Sequence, residues 1–299
     1  MSNISHLRQV CEDSEIADCR IDCTKEGEKT VSIEPIITLT TDFGLNDEYV
    51  AVLKGVILTL APRTRIIDIT HNLPPRDIHA ASRILERSCP FFPENTIHLA
   101  IVDPGVGGKR KILSVWSGSF LFIGPDNGIL TPFLLSEDLK AIHKISNNAL
   151  FLKKVSKSFH GRDIMAPVAA HLAMGIPPCD LGPALKREEC VLLDMSRPHI
   201  DKNTLTGKII STDRFGNLCT NIPRTTFQQF TSKKQFVITV GSLTLNSVSN
   251  TYEEHDHGQP LAIFDSHDML EIAASGGDGA EKFSLSPGSM ITITISNYS

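Results

Sequence analysis

Acidic, cationic and imidazole side chains recur in this chain beside glycine, directly after apolar runs. The first group is Thr40-Thr41-Asp42-Phe43-Gly44, followed by Asp47. A carboxylate there either caps its own turn or accepts two hydrogen bonds from a ribose diol. The second is Asp103-Pro104-Gly105-Val106-Gly107-Gly108-Lys109-Arg110. Pro-Gly suits a tight turn, the further glycines let backbone N–H groups approach a ligand, and Asp103 can pair with Arg110 across the loop. The third is Phe159-His160-Gly161-Arg162-Asp163 at a helix start. His160 there titrates near neutrality, although a helix N-terminus disfavours its charged form. Its plain alternative is a helix cap beside an Arg162–Asp163 surface pair. Two further groups follow, Asp213-Arg214-Phe215-Gly216-Asn217 and Ser266-His267-Asp268-Met269-Leu270-Glu271.

Better-known nucleotide and hydrolase signatures are absent. The sequence has no G-x-G-x-x-G, no G-x-x-x-x-G-K-[ST], no G-x-S-x-G and no H-E-x-x-H. His255-Asp256-His257 could hold a metal, but its acidic, glycine-flanked loop reads as solvated, and no metal site is expected. Seven cysteines, three of them at 11, 19 and 23, form no C-x-x-C pair; reduced thiols are the plain reading.

The elements that must position these groups follow from hydrophobic spacing. Ile36 to Thr41 reads as a buried strand, and the segment from Tyr49 to Leu60 as a helix stopped by Pro62. Strands around Ile66–Ile69 and Ile97–Val102 alternate with a helix over 77–89. Residues 111–124 read as a hairpin turning at Ser117-Gly118, and 160–175 as a helix closed by Gly175. Alternation of this kind predicts an α/β sandwich with a largely parallel sheet, in which ligands bind at the carboxyl ends of the strands. Beyond residue 197 the runs are short and strand-like with turn residues between them, which predicts an all-β barrel domain. The expected organisation is a polar tail over 1–35, an α/β domain over 36–196 and a β-barrel domain over 197–299.

A net charge of −5, with no lysine- or arginine-rich block, argues against nucleic acid or an anionic membrane as the main partner. No apolar run reaches the length of a spanning helix, and the acidic N-terminal segment lacks a secretory pattern. A cytoplasmic location is the expectation.

Taken in order, TTDFG, VDPGVG, PDNG, FHGRDIMAP, DRFGN and SHDMLEIA resemble the S-adenosyl-L-methionine hydroxide adenosyltransferases. These are hydrolases related to the fluorinase and chlorinase enzymes. The resemblance covers 36–299. It implies a homotrimer with sites between the α/β domain of one subunit and the barrel of its neighbour. It places a triad on Asp103, Arg110 and His160, with Asp42 on the ribose hydroxyls. Asp213, Ser266 and Asp47 then address the methionine end, Asn217 the adenine with Phe215 beside it, and Asp126 and Asn127 shape the site. Gly108 departs from the small hydroxyl residue of many relatives.

The implied reaction is hydrolysis of S-adenosyl-L-methionine to adenosine and L-methionine, with no cofactor. A sulfonium is already a good leaving group, so the protein has to align a water and manage its proton. Two rivals remain: a sensor that binds S-adenosylmethionine or adenosine without turnover, and a halogenase. Halogenating relatives carry small or hydroxyl groups where this chain places the His160 imidazole.

Overall fold

A computed structural model describes residues 34–232 and 234–295. The cysteine cluster at 11, 19 and 23 and nearly all of the tail lie outside the described residues. The first sheet is built from β1 (Ile36–Thr41), β2 (Arg65–Thr70), β3 (Ile97–Ile101), β4 (Ile112–Ser117), β5 (Phe120–Pro125) and β6 (Leu139–Lys144). Their order is β2-β1-β3-β5-β4-β6. The pairs from β2 through β5 are parallel, and β4 and β6 add antiparallel to that edge. β1 and β3 are buried almost throughout, as strands covered on both faces must be. The β4–β5 hairpin turns through Gly118 and Ser119, one residue later than the spacing suggests, with Gly118 at φ +54°.

Helices α1 (Tyr49–Leu60), α2 (Ile78–Ser88), α3 (Thr131–Leu134) and α4 (Ala166–Ala173) supply the outer layers. On one face Leu53 and Ile57 of α1 pack with Val168 and Ala169 of α4 against Ile37, Leu39 and Leu99. On the other, Ala81 and Leu85 of α2 and Phe133 of α3 pack on Ala100, Leu113 and Phe122. Two apolar faces on one sheet therefore force a three-layer sandwich.

The second sheet uses β7 (His199–Asp201), β8 (Thr204–Thr212), β9 (Leu218–Pro223), β10 (Phe236–Val240), β11 (Leu243–Leu245), β12 (Pro260–Phe264), β13 (Met269–Ala274) and β14 (Met290–Ile295). All its ladders are antiparallel, in the order β11-β10-β14-β8-β9-β13-β12, with β7 beside β8. A bridge between Ser249 and Ile263 links the segment after β11 to β12 and nearly closes the barrel. Alternate residues of β8 and β14, among them Leu205, Ile209, Ile291 and Ile293, fill its interior. Two short helices, α5 (Arg224–Thr231) and α6 (Gly279–Phe283), interrupt this β-rich half. In α5 the threonines favour strand by propensity, but Phe227 is buried in the barrel core and Ser232, at φ +41°, ends the turn.

Candidate active site

Sequence order crosses over at β1: the chain goes from β1 to β2 on one side and returns to β3 on the other. Such a switch point opens a crevice at the strand ends. Asp42 follows β1 directly, and Asp103 lies two residues beyond β3. Both line a cavity of about 300 Å³ together with Phe43, Arg76, Phe159 and His160. That volume is at the lower edge of the ~300–1,000 Å³ usual for small-molecule sites.

Asp103 and Arg110 form a bidentate pair. Arg110 Nε donates to the two carboxylate oxygens at 2.9 and 3.1 Å, and Nη2 reaches Oδ2 at 2.5 Å. The same Nη2 lies 2.9 Å from His160 Nδ1. A guanidinium only donates, so Nδ1 accepts and the proton of the neutral ring sits on Nε2. Burial first, and then the Arg110 charge, hold the His160 pKa below its ordinary value, against the opposing pull of Asp103, Asp163 and the Ser156 carbonyl. The imidazole is therefore neutral at pH 7.

Two loops must meet to build this triad. Gly107 has φ +75°, and a Cβ on it would lie 2.0 Å from the Lys157 carbonyl oxygen. Only glycine lets the 103–110 loop touch the segment that leads into His160. His160 precedes a turn of π-helix, Gly161–Met165, which runs into α4, so the expected helix opens with a wider turn than its spacing indicates. π-turns of this kind are frequent at functional sites.

Asp163 is fully buried, so its pairing with Arg162 is no surface contact. Its carboxylate accepts from Arg162 Nε at 2.6 Å and from the Ser156 backbone N–H at 2.7 Å. Burial alone would raise its pKa; these hydrogen bonds outweigh that and hold it below the ordinary carboxylate value. Asp163 thus pins the loop that presents His160, a role that burial reveals and the sequence does not. Asp126 and Asn127 sit behind the site. Asn127 Nδ2 donates to the Val102 carbonyl at 2.8 Å, and buried Asp126 accepts from Lys111 Nζ and the Val191 N–H at 3.1 and 2.7 Å.

Asp42 Oδ2 accepts the Arg76 backbone N–H at 2.8 Å. Arg76 itself holds φ +67°, a strained conformation for a side-chain-bearing residue. Phe43, Tyr49 and Phe159 meet edge-to-face with centroids 5.3–5.8 Å apart, and Phe43 and Phe159 line the cavity.

Every residue lining this cavity comes from 42–161. Asp47 is exposed outside it, and the barrel residues are not brought to it within one chain. Asp213 spends its carboxylate on its own loop, accepting from the Phe215 and Asn217 N–H groups and from Asn217 Nδ2 at 2.8–2.9 Å. Phe215 is 76% exposed, Asn217 is buried, and Ser266 is exposed in the turn before β13. The Ala280 N–H donates to the Gly216 carbonyl, so this loop and the segment after β13 form one ridge. A larger cleft, about 1040 Å³, runs between α2 and the β8–β9 side, lined in part by Arg83, Arg197 and Lys208. None of the site residues expected from the sequence lines it.

Models of the two domains of one family match this chain, the SAM hydroxide adenosyltransferase N-terminal domain over 37–182 and C-terminal domain over 207–292. The chain belongs to the SAM hydroxide adenosyltransferase family. It is 34% identical over 269 residues to an (R)-S-adenosyl-L-methionine hydrolase of Salinispora tropica, covering 87% of this chain and 98% of that relative. Identity to a fluorinase of an Actinoplanes species is lower, 27% over 290 residues, covering 87% and 97%. A crystal structure of an uncharacterized conserved protein from Thermotoga maritima superimposes with a TM-score of 0.80 at 37% identity, covering 86% of this chain and 99% of that one. Within this SAM hydroxide adenosyltransferase, no helix among the described residues is long and apolar enough to cross a membrane.

Proposed function

We propose that the protein hydrolyses S-adenosyl-L-methionine to adenosine and L-methionine by attack of water on C5′. The Asp103–Arg110–His160 arrangement, next to Asp42 at the switch point, is the observation that carries this reading. The new C5′–O bond forms as the C5′–S bond breaks; the electron pair leaves with the thioether of methionine, and one proton leaves the water. Asp103 fixes Arg110, and Arg110 stabilises negative charge developing on the attacking oxygen. His160 orients the water and helps take up its proton. Asp42 holds the ribose hydroxyls. No cofactor takes part.

Asp213, Phe215, Asn217 and Ser266, from the barrel of a neighbouring subunit of a homotrimer, complete the site beside Asp47 of the α/β domain. Asp213, Ser266 and Asp47 take the methionine end and Asn217 and Phe215 the adenine. Domain limits at 36–196 and 197–299 and a cytoplasmic location, with no nucleic-acid or membrane partner, complete the reading. The imidazole in the FHGRD segment favours hydrolysis over halogenation, and the assembled triad favours turnover over sensing.

The test is incubation of the purified protein with S-adenosyl-L-methionine, with and without high chloride, followed by nucleoside chromatography. Equal amounts of adenosine and methionine, unaffected by chloride and abolished in His160→Ala, support the reading. A 5′-halogenated adenosine moves the protein to the halogenases, and saturable binding without product makes it a sensor.

A further inference from the structure

A line of four side chains runs from the protein surface into the turn that carries Asp42. Lys54 Nζ on α1 lies 2.6 Å from Asp68 Oδ2 on β2. Asp68 Oδ1 lies 3.0 Å from Nε2 of buried His71, and His71 Nδ1 lies 2.8 Å from Oγ1 of buried Thr41. Thr41 Oγ1 in turn accepts the Phe43 N–H at 3.3 Å, and the His71 carbonyl accepts the Gly44 N–H at 2.8 Å. An ionised Asp68 only accepts, so a neutral His71 carries its proton on Nε2; Nδ1 then accepts from the Thr41 hydroxyl, which keeps a lone pair for Phe43. Nε2 is buried, and the Asp68 carboxylate, 3.0 Å away at ion-pair distance, is the acidic group beside it. Burial works against the Asp68 charge, but the Lys54 and His71 hydrogen bonds prevail and hold its pKa below the ordinary carboxylate value. The donors from Phe43 through Thr41 and a neutral His71 point toward Asp68, which Lys54 also faces from the other side.

The geometry points to His71 and Asp68 as positioning residues for substrate affinity, acting through Thr41 on the carboxylate of Asp42; this rests on the hydrolase reading above. Asp42 sits between the two anchored residues, Thr41 and Phe43. One of its oxygens is held by Arg76, five residues along the loop that His71 begins, and the other takes no hydrogen bond from the described residues. That leaves one oriented acceptor for a ribose hydroxyl. The Asp–His–hydroxyl order imitates a nucleophilic triad, but Thr41 is completely buried and can attack nothing. Its hydroxyl fixes the turn instead.

Steady-state kinetics of the full chain separate this role from a merely structural one. In His71→Ala, KM for S-adenosyl-L-methionine rises about tenfold while kcat stays within about threefold. His71→Asn, whose Oδ1 takes the place of Nδ1 toward Thr41, recovers most of that rise. Asp68→Ala, which only loosens His71, raises KM about threefold. If His71→Ala does not fold, Thr41→Val removes the terminal hydroxyl at constant volume and is read in its place. An unchanged KM, a loss confined to kcat, or a rise in KM that His71→Asn does not reverse overturns the inference. Absence of adenosine from the wild type is a failure of the hydrolase reading instead. The dissociation constant for S-adenosyl-L-methionine, measured by calorimetry in the same variants, then decides the positioning role by the same pattern.

Discussion

The two halves of this molecule prepare for a ligand in opposite ways. In the α/β half, Asp42, Asp103 and His160 line one cavity, Arg110 bridges Asp103 and His160, and each is held by the chain's own contacts. In the barrel half, Asp213 is consumed by its own loop and Phe215 stands 76% exposed, with no partner ring among the described residues. Orientation of reacting groups has to be set before substrate arrives, whereas a stacking or binding surface can wait for the partner that covers it. On the proposed reading, the difference is that between a preorganised chemical half and a receptive binding half.

The strongest way to break this contrast is Arg110→Ala. It removes the charge beside His160 and leaves Asp103, whose side chain is 6% exposed, as an unpaired buried carboxylate. Hydrolysis falls by about a thousandfold or more, and unfolding in urea shows a loss of about 3–5 kcal/mol. Arg110→Lys restores little, because an ammonium cannot make the bidentate contact.

Gly107→Ala probes the meeting of the two catalytic loops. The added Cβ collides with the Lys157 carbonyl and pushes the His160 segment away, so kcat falls about a hundredfold. A variant with wild-type kcat removes the loop contact from the account.

pH sharpens the role assigned to the imidazole. Because the His160 pKa is held below its ordinary 6.5, the neutral ring persists as pH falls through 6.5, and kcat/KM stays level there. Below the lowered pKa the ring charges, and kcat/KM declines about tenfold per unit. Linkage has the same sign: between the two pKa values the unfolded chain binds more protons than the native one, so this group's contribution to stability is lost as pH falls through that window. A decline that begins at or above 6.5 contradicts the assignment.

Phe215→Ala gives the smallest effect and tests the receptive half. Exposed in the isolated chain, Phe215 contributes little to folding, so the thermal midpoint is unchanged while KM rises about tenfold. A lower midpoint with unchanged KM places the ring in packing rather than in substrate binding.

Much of this was legible in the sequence. Carboxylates and glycines at the ends of apolar runs pointed to the residues that the structure gathers at the candidate cavity, since strand ends and turn chemistry are local properties. The Asp103–Arg110 pair lies within one loop, and its seven-residue spacing sufficed. What was not legible depended on tertiary contact. Asp163 reads as an ordinary surface partner of Arg162 until the Ser156 N–H and complete burial are seen. The left-handed conformation of Arg76 carries no glycine to announce it. His71 becomes significant only because parallel pairing sets β2 beside β1, bringing its ring to Thr41. Helix α5 was hidden because its threonines and phenylalanines favour strands and tertiary burial overrode that preference.

The central claim, that water attacks C5′ in the cavity shared by Asp42, Asp103 and His160, is tested most directly by isotope labelling. Turnover of S-adenosyl-L-methionine in ¹⁸O-water, followed by mass spectrometry of the nucleoside, should place one ¹⁸O in the 5′-hydroxyl of adenosine and none in methionine. Adenosine without label, or label in the methionine, would contradict it.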